Sequence, residues 1–118
     1  MGTFTIKVHF YNPKEPERSI NVEALVDTGA TMSGLSTSNL KDLGVEPEWT
    51  VPSRLADGRV VERPCGIAGV EIEGRKSLVP VAFKEEASPA VIGATTLELL
   101  AFTVDPVERR LVHKPILE

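Results

Sequence analysis

Phe4, Ile6, Val8 and Phe10 alternate with Thr3, Thr5, Lys7 and His9, and this two-residue period is what a half-buried strand requires. The pattern returns between Ser19 and Val26, with Ile20, Val22, Ala24 and Val26 on one face. The polar, proline-bearing segment Asn12–Arg18 separates the two strands as a loop. Further along, Val51–Ala56 and Arg59–Arg63 flank Asp57-Gly58, a hairpin signal because such a turn needs positive φ. Ile67–Ile72 and Lys76–Phe83 flank Glu73-Gly74-Arg75 in the same way. Ala90–Ile92 reads as a short buried strand, and Phe102–Val104 with Leu111–His113 as a closing hairpin.

Helical signals are brief. Ser36 or Thr37 is placed to cap a helix through Asn39–Leu43, which Gly44 would end in a left-handed conformation. Thr95 or Thr96 is placed to cap a second through Leu97–Leu100. The expected class is therefore all-β with two short helices, without internal repeats.

With 118 residues the chain is expected to form one domain, 1–118, with a core but not two lobes around a large cleft. A site needing two lobes would have to come from two copies. The formal charge of −4, with bases scattered rather than clustered, gives no footprint for nucleic acid or anionic lipid. The single cysteine excludes an intrachain disulfide and points to a reducing compartment. Met1-Gly2-Thr3-Phe4 lacks signal-peptide features, and no apolar run reaches the roughly 20 residues of a spanning helix. A soluble cytoplasmic protein without membrane contact is expected.

The segment Ala24-Leu25-Val26-Asp27-Thr28-Gly29-Ala30-Thr31 carries the chemistry. Asp, Thr and Gly are all turn formers, and a turn alone would account for Asp27 and Gly29. A turn gives no reason for an apolar strand to run directly into a carboxylate. Here the chain resembles the retropepsin-like aspartic proteases. Leu25 and Val26 match that family's apolar pair, Asp27 its catalytic aspartate, and Thr28 the threonine that braces the partner subunit's loop. Gly29 matches the glycine beside which substrate backbone lies, and Ala30 the retroviral-type alanine. Val91-Ile92-Gly93 matches the second signature, an apolar pair and glycine before a helix, with Leu97 in that helix.

The resemblance implies a small closed β-barrel with two short helices and a flap hairpin, whose tip would be Leu55-Ala56-Asp57-Gly58-Arg59. It implies a homodimer, with Val91, Ile92 and Gly93 as pocket wall and a peptide or unfolded protein as substrate. Two carboxyl groups about 3 Å apart cannot both ionise, and a pair sharing one proton can activate water and protonate a leaving amine. One Asp27 supplies half of that pair, and a two-fold axis would supply the rest. Ala30 has no hydroxyl to donate to the carboxylate, and a bell-shaped rate profile at roughly pH 4 to 6 is expected.

Two departures stand out. Retroviral enzymes pair an acidic residue with an Arg at the positions held here by Thr31 and Ala94, and both partners are missing together. The C-terminal hairpin after Val104 is additional to the retroviral pattern.

Other residues read more plainly. Cys65 is expected to be a small buried apolar residue, not a nucleophile, since no histidine is placed to partner it. His9 and His113 lack metal-ligand spacing with it, so no metal and no cofactor are expected. Gly66-Ile67-Ala68-Gly69 superficially resembles a nucleic-acid clamp, but its acidic, strand-like setting makes it a strand entry. Trp49 is expected in the core or at the flap base, and Asp105-Pro106 in a turn. The leading expectation is an aspartic endopeptidase. The alternatives are a non-catalytic peptide-binding or dimerisation module that keeps the fold, or a self-processing domain of a longer polyprotein.

Overall fold

A computed structural model describes residues 4–118. Thr3, expected in the first strand, lies outside the described residues. The elements are β1 (Phe4–Tyr11), β2 (Ser19–Val26), β3 (Ser33–Ser36), α1 (Thr37–Leu43), β4 (Trp49–Arg54), β5 (Val60–Ile72), β6 (Arg75–Lys84), β7 (Val91–Ile92), α2 (Ala94–Leu99), β8 (Phe102–Asp105) and β9 (Arg110–His113). The all-β class with two short helices holds.

Strand pairing runs β1-β2-β7-β3-β6-β5-β4, and β1 pairs again with β5, so six strands close into a ring and β4 hangs from it. Closure joins His9–Tyr11 to Gly69–Glu71. It depends on a missing side chain, because a Cβ at Gly69 would meet the Tyr11 ring within 2.1 Å. Val8, Phe10, Leu35, Val70, Val81 and Ile92 fill the interior at 2% exposure or less. Their alternation with polar neighbours is the two-residue period of the sequence made spatial.

The structure departs from the sequence reading at β5. Two strands, 59–63 and 67–72, are expected around Pro64-Cys65-Gly66, but one 13-residue strand runs through. Each half has its own partner: Val60–Cys65 pairs with β4 and Cys65–Ile72 with β6. Gly66 allows the passage, since a Cβ there would come within 2.5 Å of the Glu46 carbonyl.

The turns also exchange roles. Glu73 and Gly74 both have positive φ, 50° and 85°, and form the two-residue type I′ turn joining Ile72 to Arg75. At Asp57-Gly58 only Gly58 has positive φ, and the connection spans the five residues Leu55–Arg59.

Helix α1 follows its caps: Ser36 Oγ accepts from Asn39 N at 3.2 Å, and Gly44 is left-handed. The 12–18 loop completes its C-terminus, with Asn12 Nδ2 donating to Leu43 O and Arg18 Nη2 to Asp42 O, both at 2.8 Å. Helix α2 differs from expectation, since Gly93 is its N-cap without a side-chain bond. The β8–β9 hairpin is secured by Arg75, whose Nη1 donates to Leu100 O and Ala101 O at 2.7 and 2.8 Å. The same guanidinium lies 4.9 Å over the Phe102 ring.

Candidate active site

The apolar face of β2 ends at buried Val26, and the chain then leaves the sheet at half-buried Asp27. Parallel pairing with β7 fixes the exit point, through Leu25 N to Ala90 O at 2.8 Å and Asp27 N to Ile92 O at 3.0 Å. Beyond it the backbone folds back, with Ala30 N donating to Asp27 O at 3.1 Å. Gly29 N donates to Asp27 Oδ1 at 2.9 Å, so one carboxylate oxygen is positioned by the turn it belongs to. A Cβ at Gly29 would sit 3.2 Å from that oxygen.

The 27–33 loop is bound to the segment entering α2. Ala94 N donates to Ala30 O at 2.8 Å and Thr95 N to Thr31 O at 3.0 Å, which satisfies two of the helix's first N–H groups. Thr31 and Ala94, which lack the retroviral ion pair, each bond through main chain to the other's neighbour, Thr31 O to Thr95 N and Ala94 N to Ala30 O. Below them Gly93 N donates to Ser33 Oγ at 3.1 Å, and Ser33 Oγ lies 2.6 Å from Thr96 Oγ1. Gly93 has no space for a side chain: a Cβ would fall 2.6 Å from Met32 O and 2.8 Å from Ala30 O.

Asp27 opens onto a cleft of about 770 Å³ between Gly29–Gly34 and Val51–Ala56, with Arg63, Ala82, Lys84 and Val91 completing its walls. Of the site residues named from sequence, the cleft brings together Asp27, Gly29, Ala30, Leu55, Ala56 and Val91. Ile92 and Gly93 are not wall residues: both are buried beneath it, because Ile92 is a core side chain and Gly93 has none. Thr28 is exposed and borders a second cavity of about 530 Å³ with Ala94, Leu97 and Lys114–Leu117.

Asp57, Gly58 and Arg59 are exposed at the hairpin tip and do not line the cleft, since the five-residue connection carries them past its edge. Arg59 N and Nε donate to the two Asp57 oxygens at 3.0 and 2.7 Å. These bonds hold the Asp57 carboxyl below its ordinary range, the backbone one most strongly. Trp49 is exposed and opens β4 at the base of this hairpin.

Sequence reasoning missed Arg63. Only 8% exposed, it donates from Nη1 to Glu85 Oε2 at 2.7 Å and to Phe83 O at 3.4 Å. The Arg63 bond is the main cause holding the Glu85 carboxyl low. A clue was available, because Arg63 continues the inward period of β5 through Cys65, but inward charge reads as an error until its partner is seen. Cys65 is fully buried, and burial pushes its thiol up, so it lacks the thiolate character of a nucleophile. His9 Nδ1 contacts Asn21 Oδ1 at 2.9 Å, while His113 stacks at a tilt 5.5 Å from Phe102. Among the described residues no three His, Cys, Asp or Glu side chains are grouped to hold a metal ion, and no helix is long and apolar enough to cross a membrane.

The fold is shared with known proteases. The EIAV protease complexed with the inhibitor HBY-793 superposes with a TM-score of 0.60 at 21% identity, covering 84% of this chain and 88% of that one. A retropepsin-like aspartic protease from Rickettsia conorii gives 0.59 at 17% identity, covering 88% of this chain and 77% of the other. The Simian Foamy Virus (mac) protease gives 0.58 at 16% identity, covering 82% and 94%. No curated protein sequence matches significantly. The profile of the gag-polyprotein putative aspartyl protease family matches residues 18–98, which contain Asp27, the hairpin and α2 nearly entire. On that match, the chain belongs to the retropepsin-like aspartic protease family.

Proposed function

We propose that the protein is an aspartic endopeptidase whose site is completed by a second copy of the chain, residues 1–118 acting as one domain and supplying half of it. The observation that carries this reading is Asp27 itself: a carboxylate at the end of an apolar strand, held through Oδ1 by Gly29 N and bordering a peptide-sized cleft. In the reaction, one Asp27 takes a proton from water as its oxygen adds to the scissile carbonyl carbon. The other Asp27 gives its proton to the carbonyl oxygen. Collapse of the resulting diol breaks the C–N bond, and a proton passes to the departing amine, leaving an acid and an amine.

Gly29 and Ala30 leave room for substrate backbone beside the carboxylates, and exposed Thr28 is available to brace the partner's loop. The hairpin 51–63 closes over the peptide, with Leu55 and Ala56 as its contact surface and Asp57-Gly58-Arg59 as the moving tip. Val91 forms wall, backed by Ile92 and Gly93.

The decisive experiment combines mass in solution with cleavage of an unfolded protein. A dimer that cleaves, and an Asp27→Asn dimer whose rate falls by on the order of 10³-fold or more with the fold intact, is expected. Full activity in the Asn variant would place the catalysis elsewhere. A folded, peptide-binding wild type without hydrolysis would make it a binding module.

A further inference from the structure

The cleft reverses the charge of the chain. The sequence has 17 acidic residues against 13 Lys and Arg, yet the charged residues lining the cleft are Arg54, Arg63 and Lys84 against the single carboxylate of Asp27. We infer that the cleft selects peptides carrying acidic side chains near the scissile bond, with Lys84 and Arg54 as the residues that recognise them. The inference rests on the proposed peptidase reading and specifies its substrate class.

The three cations are not equivalent. Arg63 is buried and answered by Glu85, whose carboxylate is exposed and is not among the cleft residues. The neighbouring Glu86 is bound by Ser38 through N at 3.0 Å and through Oγ. Lys84 forms no ion pair among the described residues, although its charge helps hold the Glu85 carboxyl low. Its stem is laid across Gly34: a Cβ at that glycine would come within 2.5 Å of Lys84 Cδ and 3.0 Å of Cγ. A side chain at residue 34 would lift the lysine off the wall. Arg54 lies on the hairpin strand, donates Nη1 to Gly58 O at 3.0 Å and likewise has no carboxylate partner. The nearby acid, Asp57, is already bound by Arg59.

Two cations without a salt-bridge partner among the described residues, one on the wall and one on the hairpin, therefore line a cleft whose low-dielectric walls concentrate field lines. A substrate carboxylate reaching either cation gains a charge-assisted bond. One placed beside Asp27 would meet like charge, so the preference belongs to positions flanking the scissile residues.

The test uses twin peptides that differ only by Glu or Gln at each flanking position, assayed above the glutamate range of about pH 4.3. The Glu twin should show about fivefold higher kcat/KM at low salt, mainly through KM, and the difference should shrink at high salt. Lys84→Met keeps the stem on Gly34 and removes the charge; with Arg54→Gln it should bring the ratio of Glu-twin to Gln-twin kcat/KM to about one, and a ratio that stays near fivefold would overturn the assignment to these residues. Equal cleavage of the twins by the wild type would overturn the inference and leave the peptidase reading standing. Binding of the same twins to Asp27→Asn separates the two: tighter Glu binding without any wild-type hydrolysis would retain the charge selection and overturn the peptidase. Equal binding would overturn the selection.

Discussion

Ser33 Oγ on β3 and Thr96 Oγ1 on α2 lie 2.6 Å apart in a fully buried contact, and Ser33 also accepts from Gly93 N. Two polar groups at the start of α2, the Gly93 N–H and the Thr96 hydroxyl, are thus met by one hydroxyl from β3. Ser33→Ala leaves the Gly93 N–H and the Thr96 hydroxyl without that partner, which is expected to cost about 1–3 kcal/mol. Chemical denaturation of the two proteins measures it directly; unchanged stability would mean that the bonds re-form elsewhere.

Gly93→Ala should be destabilising for a different reason. The new methyl has backbone atoms of Met32 and Ala30 closer than 3 Å, and backbone yields less readily than a side-chain tip. A loss of about 2 kcal/mol, with Tm lower by on the order of 8 °C, is expected in a thermal melt. Catalysis should fall further than stability does, since the displaced residues follow Asp27.

These two sites show where the sequence was legible and where it was not. Strand period, the Ser36 and Gly44 caps and the Asp27-Thr28-Gly29 loop are local patterns, and each was readable from neighbouring residues. Thr96 looked like a helix cap because capping residues and buried hydroxyls share one side chain. Its partner, 63 positions away, decides between them. Arg63 and Lys84 became cleft residues for the same reason: β5 and β6 carry them there by long-range pairing. The continuity of β5 through Pro64 and Gly66 was hidden because its two halves satisfy different neighbours.

The Arg63–Glu85 pair makes a pH prediction. The Glu85 carboxyl sits below its ordinary value of 4.5 in the folded chain, so its stabilising contribution is fully present above about pH 4.5 and is lost as pH falls through the depressed folded value. Glu85→Gln should therefore lower Tm most at neutral pH, with the gap to wild type closing in acid. Because Glu85 is largely exposed the effect is small, and a gap that widens in acid would contradict the pairing.

The hairpin tip should move more freely than the strand bearing Asp27. Around Leu55–Arg59 the turn is held by local bonds and has exposed residues, whereas Leu25 and Asp27 donate into a parallel ladder. Amide exchange at Ala56 and Asp57 is expected to outpace that at Leu25 by on the order of 10²-fold, and peptide binding should slow the tip. Equal protection at both places would argue against a lid.

The pairing of Leu25 with Val91 has a temporal consequence. Asp27 is synthesised before its partners: the carbonyl that receives its N–H belongs to Ile92, and the groups that anchor its loop belong to Gly93, Ala94 and Thr95. A growing chain that has not yet exposed these residues has the aspartate without its seat. High-separation contacts of this kind form slowly and late in folding. On the proposed reading, a nascent fragment ending before residue 92 holds Asp27 without these partners, and hydrolytic competence waits for the 92–95 segment to emerge.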